Sequence, residues 1–271
     1  MISDQISEVT LLKKRFLLYP IFVLPVAVLT WFIIDRVDPH TGFYDGSPVL
    51  LVLGLASVIV TLFLSFSLRS TAVRRGVPFS SPEHGIAWKL INILFAMLIM
   101  LNILCRFTFF RPSASYMLPL WAVSVAFECV AMICIYLRII SKPNDDPLHS
   151  VFLTLGPCLF FTADLLNRFF CSSVNRNNVP LMISFLSCGS LAVTALRMMQ
   201  TLSSEDPSSQ RQFLLSAFCS LVFCLGFRLP SVLFYLRTGN QYEIVCLAAD
   251  CMASVVLYQE AYLTIPGSNN A

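Results

Sequence analysis

Apolar stretches of about twenty residues recur along the whole chain, and each is long enough to cross ~30 Å of hydrocarbon as a helix. They run roughly over 16–34, 48–68, 89–110, 117–137, 151–171, 180–200, 213–235 and 243–264. The expected fold is therefore all-α: a polytopic transmembrane helix bundle of eight spans, arranged as four tandem helix hairpins in one integral membrane domain over residues 1–271. Ser47-Pro48 and Val179-Pro180 suit helix starts, where a missing N–H is no loss. Gly239-Asn240 reads as the turn between the last two spans.

Composition closes off the soluble alternatives. Hydrophobic residues make up 57% of the chain and charged residues 12%, against about 25% charged in a soluble domain. The longest polar connector, Arg69 to Trp88, is too short for a water-soluble domain. Any binding or chemistry belongs to the bundle or its loops. Lys13-Lys14-Arg15 ahead of the first span superficially matches a signal peptide. The apolar run reaches Ile34, however, is interrupted by Pro20 and Pro25, and lacks a small-x-small cleavage site. It reads as an uncleaved span.

Orientation follows from the basic residues. One side carries Lys13, Lys14, Arg15, Arg69, Arg74, Arg75, Lys89, Arg138, Lys142, Arg197 and Arg211, and the other Arg36, Arg111, Arg176 and Arg237. The richer side is expected to be cytoplasmic, with both termini on it. The basic residues do not interleave with aromatics, which argues against nucleic acid as a partner.

The third, fifth and seventh spans end alike: Asn102-x-x-x-Arg106, Asp164-x-x-x-Arg168 and Cys224-x-x-x-Arg228. Adding 22 residues to each arginine gives Glu128, Ser190 and Asp250. The spacing predicts an internal repeat of hairpins in one orientation.

These positions also hold the charges that lipid penalises. Counted at 1.5 Å per residue, Arg106 and Arg168 lie about 5–6 Å below the outer edge, and Asp164, Arg228 and Asp250 about 10–11 Å below it. Glu128 is deepest, with no partner at its own depth. A charge at the bilayer centre costs about 2.5–3.5 kcal/mol on the insertion scale, so such residues face the bundle interior, pair or lose their charge, and Glu128 is expected to be mostly protonated. Asp164 and Arg168 share a helix face. Arg228 and Asp250 are equidistant from the Gly239 turn and should meet. Pro230 removes a helix hydrogen bond to the Gly226 carbonyl beside Arg228, as in the broken helices of membrane binding sites. Arg228, Asp250, Asp164, Glu128, Arg106 and Arg168 are thus expected to line an outward-facing charged cavity that binds ligand.

Other reactive residues carry less. The ten cysteines have neither C-x-x-C nor metal spacing and read as packing residues. His40, His84 and His149 fall in loops. The first outer loop holds Asp35, Asp38, Asp45 and His40, but their spacing matches no metal loop, and it reads as an interfacial cap. Neither metal nor cofactor is expected, and no residue is assigned a catalytic role.

The first span followed by Ile34-Asp35-x-x-Asp38-x-x-Thr41-Gly42-Phe43-Tyr44 resembles uncharacterised multi-pass membrane proteins of Firmicutes-type bacteria. The resemblance implies a bacterial cytoplasmic membrane and no known activity, and it carries no functional residue over.

There is no G-x-S-x-G, H-E-x-x-H or P-loop motif. The expected function is non-enzymatic binding or transport of a small polar or anionic solute. The alternatives are an intramembrane lipid-modifying enzyme using Glu128, Asp164 or Asp250, and a membrane sensor or scaffold that needs a protein partner.

Overall fold

The computed structural model describes residues 14, 16–49, 86–109, 118–140, 147–171, 178–203 and 207–265, with scattered positions between 52 and 63. Most of the expected span 48–68, most of the connector from Arg69, and Arg111 and Arg176 lie outside the described residues.

A 3-10 turn, Tyr19–Phe22, leads into α1, Val23–Asp35. Pro20 opens the 3-10 turn, where a missing N–H costs little, and Pro25 lies in the first turn of α1. Then follow α2, Ile86–Phe109; α3, Leu118–Ile140; α4, Pro147–Cys171; and α5, Val179–Ser203. α4 begins earlier than the sequence suggests, so His149 lies in its first turn. The next span is compound: α6, Pro207–Leu221, a π-helical segment, Val222–Arg228, a 3-10 turn, Leu229–Ser231, and α7, Val232–Thr238. Gly239 closes α7 in the left-handed region at φ 68°, which glycine adopts without penalty. Asn240 then caps α8, Gln241–Leu263, its side chain accepting the Glu243 amide at 3.2 Å.

Among the described residues five segments are long and apolar enough to cross a membrane: Phe16–Asp35, Lys89–Thr108, Val179–Ser203, Ser208–Thr238 and Gln241–Leu263. Among the described residues α3 and α4 carry the apolar segments Trp121–Leu137 and Thr154–Leu166. Among the described residues the protein is an all-helical bundle with several helices long and apolar enough to cross a membrane.

Helices adjacent in sequence pack together from α2 through α6, and α8 packs against α2, α5, α6 and the π segment. α1 lies along the π segment, where Gly226 permits the approach: a Cβ there would stand 2.8 Å from Val26 Cγ1. The outer helices are inverted relative to soluble ones. α2 exposes Leu90, Leu94, Met97, Leu101, Leu104 and Phe107 while burying Asn92, Asn102 and Arg106. Lipid solvates the apolar face, so the polar groups must find partners inside.

Far from the Gly239 turn the buried residues are mainly apolar, with Glu260 also buried. Phe16 stacks on Tyr258 with ring centroids 4.2 Å apart, and Phe213, Leu214, Ala217 and Phe218 are buried.

Candidate functional site

Toward the Gly239 end, three arginines and four carboxylates form one unbranched chain of contacts. It begins at Glu128 on α3, whose Oε1 is 2.7 Å from Arg106 Nη1 on α2. The same nitrogen donates to Ser124 Oγ at 3.3 Å. The other fork of Arg106, Nη2, contacts Asp164 Oδ1 on α4. Asp164 Oδ2 accepts from Arg168 Nε at 2.7 Å, one turn along the same helix.

Arg168 then reaches across to α8. Its Nη1 and Nη2 donate to the two oxygens of Asp250 at 2.9 and 3.1 Å, a bidentate pair. Ser184 Oγ on α5 accepts from Arg168 Nη1 at 2.5 Å. Asp250 Oδ2 also accepts from Arg228 Nε at 3.3 Å. The chain ends where Arg228 Nη2 donates to Glu243 Oε2 at 2.8 Å, while Arg228 Nη1 donates to the Tyr235 hydroxyl at 2.8 Å.

Local structure explains why these groups meet. Arg228 closes the π segment directly before the 3-10 turn that contains Pro230. Backbone carbonyls of the π segment also accept bonds from neighbouring helices. Phe223 O accepts from Ser187 Oγ at 3.1 Å, and Cys224 O from Cys251 Sγ at 3.4 Å. Cys188, Cys224, Cys246 and Cys251 are free thiols buried among the helices. The Cys246 and Cys188 thiols donate to Asn102 Oδ1 and Asp164 Oδ2 at 3.4 and 3.6 Å.

All six residues singled out in the sequence belong to this ladder. Arg106, Glu128, Asp164 and Arg228 are fully buried, with Asp250 at 1% and Arg168 at 7% exposure. They pair with one another. Glu128, expected to lack a partner at its depth, has one because the long arginine side chain reaches down from the shallower Arg106 backbone. Arg228 and Asp250 meet directly, but Asp250 is shared with Arg168, whose position 82 residues away no local pattern discloses. Sequence reasoning missed Glu243, Tyr235, Ser184 and Ser124. The signal available for Glu243 was its place in the first turn after Gly239-Asn240, on the helix that carries Asp250.

The first loop forms a separate structure at the same end. Val37 and Tyr44 make an isolated antiparallel bridge. Asp38 accepts from the His40 amide at 3.1 Å, the Thr41 amide at 3.2 Å and the Thr41 hydroxyl at 2.6 Å. The Thr41 hydroxyl, with the His40 amide, holds the Asp38 carboxyl below the usual carboxylate range. The Val179 amide at the start of α5 donates to Gly42 O at 3.0 Å, which docks the loop on the bundle. Asp35 pairs with Arg237 at 2.5 Å and ties α1 to α7.

Comparison of the chain with protein-family models, with curated proteins and with solved structures returns no match.

Proposed function

We propose that the protein is a non-enzymatic membrane module that binds or moves a small anionic solute at the outer end of the ladder. The observation that carries this reading is the course of the ladder. It runs from fully buried Glu128 to Glu243, whose side chain is 18% exposed beside the Gly239 turn. Each guanidinium is filled by internal carboxylates, which act as place-holders for an anion. Glu243 is the one in contact with solvent and the one a solute carboxylate or phosphate displaces first. Arginine suits the task because its planar fork takes such groups in bidentate geometry. The π segment and Pro230 supply the adjustable backbone beside Arg228.

The surrounding architecture in this reading has eight spans in four tandem hairpins, the last three related by duplication. Both termini face the cytoplasm of a bacterium of the Firmicutes type. Arg106, Arg168 and Arg228 are then successive copies of one position, with Glu128 and Asp250 as equivalent partners.

A second reading is a scaffold or sensor that needs a protein partner, its ladder serving only as an ionic lock. Burial of 0–7% and mutual pairing of the six residues favour it.

One experiment separates the two. The protein in lipid nanodiscs is titrated with inorganic phosphate and with short dicarboxylates while its thermal unfolding is followed. Binding raises the midpoint in a saturable way. Glu243→Gln, which opens the fork, should strengthen the response, and Arg228→Gln should abolish it. A wild-type midpoint that none of these anions moves rejects anion binding and leaves the ionic lock.

A further inference from the structure

The two ends of the ladder differ in a way that identifies a second site. Inside the chain, each aspartate contacts two guanidinia: Asp164 contacts Arg106 and Arg168, and Asp250 contacts Arg168 and Arg228. Glu128 and Glu243 are the terminal carboxylates, each with one guanidinium. Four carboxylates face three guanidinia, so the chain carries one negative charge in excess. At Glu243 water screens the imbalance. At Glu128 the side chain is fully buried.

Hydrogen bonding repeats the difference. Among the described residues neither carboxylate oxygen of Glu128 has a hydrogen-bond partner, and Arg106 Nη1, though only 2.7 Å from Oε1, is aligned with Ser124 instead. A buried carboxylate with unmet acceptors is among the most costly groups a bundle can hold. The charged groups facing it are Arg106 from α2 and Asp164 and Arg168 from α4, the two helices packed against α3. Together with Asp250 and Arg228 further along, that set carries one net positive charge, and the two terminal carboxylates, Glu128 and Glu243, share it. What completes Glu128 is positive, small and single-charged.

We propose that Glu128 is the binding site for a monovalent cation, either a proton on the carboxyl or a sodium ion against it, at the opposite end of the ladder from the anion site. Ser124, one turn away on the same face of α3, offers a second oxygen. The site stands on Glu128 alone. Only its coupling to solute rests on the function proposed above: an anion that displaces Glu243 redistributes the charge along the ladder and so changes the hold on the cation at the far end.

The test uses the full chain in nanodiscs and N,N′-dicyclohexylcarbodiimide, which modifies protonated carboxyls in apolar surroundings, with the adduct located by mass spectrometry. In sodium-free buffer Glu128 should label severalfold faster than Asp164 or Asp250. If the cation is sodium, added sodium at fixed pH slows labelling severalfold while added potassium does not. If it is a proton, labelling responds to pH and ignores sodium. Glu128→Gln should fold, since it removes the excess charge, and its unfolding midpoint should no longer move with either cation. Labelling of Glu128 no faster than of Asp164 or Asp250 overturns the site, as does a Glu128→Gln midpoint with the wild-type cation response. If the variant does not fold, the wild-type labelling pattern still decides. Loss of the anion response through Arg228 with labelling of Glu128 retained removes the proposed function and not this site.

Discussion

The ladder and the first loop are both organised by an aspartate saturated with donors, yet they do opposite work. Asp164 is fully buried and joins Arg106 of α2 to Arg168 of α4. Asp38 is in water and joins only its own neighbours, His40 and Thr41. In the bundle a carboxylate without its guanidinium has no water to return to, so each contact is held by the cost of breaking it. In the loop every contact competes with solvent on nearly equal terms. Between them lies the Asp35–Arg237 pair, its side chains 47% and 42% exposed. The same chemistry is thus present at three depths of solvent, and the consequence of a substitution should fall in that order.

The largest effect is expected at Asp164. Asparagine leaves Arg106 with Glu128 as its one carboxylate, in a place where Arg106 Nε has no partner among the described residues. The loss should approach ~5 kcal/mol, the upper range for stranding a buried charge. It is measurable by reversible unfolding in mixed micelles. A loss below ~1 kcal/mol would mean the ladder is solvated, and the contrast with the loop would disappear.

Next comes the unequal sharing of Asp250. Asp250→Asn strips a partner from both Arg168 and Arg228. Arg228→Met leaves Asp250 in its bidentate pair with Arg168 and leaves Glu243 free to turn toward water. The aspartate variant should lose about 3–5 kcal/mol and the arginine variant about half of that. The double mutant should show a coupling above ~0.5 kcal/mol. Equal losses would show that Arg168 does not hold Asp250.

The order of these effects tracks how much was legible in the sequence. The helices were, because a span is a local property: a run of apolar residues and its polar punctuation fix it. Six of the seven ladder residues were, because lipid makes any interior charge conspicuous. Which charge meets which was legible only within one helix, as for Asp164 and Arg168, or across one short turn, as for Arg228 and Asp250. The Arg168–Asp250 and Arg106–Asp164 contacts depend on how α4 sits against α8 and α2, and no spacing encodes that. Glu243 escaped because depth was counted from the Cα, whereas the Arg228 guanidinium climbs toward the turn to meet it. The π geometry of Val222–Arg228 was foreshadowed by Pro230 but not specified, since a proline defines the missing bond and not how the chain absorbs it.

Further toward water, Asp35→Asn or Arg237→Gln should cost no more than ~1 kcal/mol, as exposed pairs do. High salt should erase the difference from wild type. A salt-insensitive loss larger than that would place the end of α1 in the same dry environment as the ladder.

The smallest effect belongs to Asp38, and it is best read through pH. Its carboxyl is held below its ordinary value of 3.8, first by the Thr41 hydroxyl and then by the His40 amide. A lowered folded-state value means that the turn gains stability from the ionised form. That gain is complete above the unfolded value, near 3.8, and is lost as pH falls through the lower folded value. The Gly42 amide, which donates to Asp38 O at 2.8 Å, and the Asp45 amide, which donates to Arg36 O at 2.9 Å, report on the turn. Their hydrogen-exchange protection, corrected for intrinsic rate, should be flat near neutrality and fall below pH 3.8. Thr41→Val should move that fall to higher pH, because the hydroxyl is the main cause of the shift, and Asp38→Asn should remove the pH dependence. Neither variant should move the global unfolding midpoint. If Asp38→Asn lowered that midpoint as far as Asp164→Asn, the loop would be part of the cooperative bundle, and solvent would not be what separates the two aspartates.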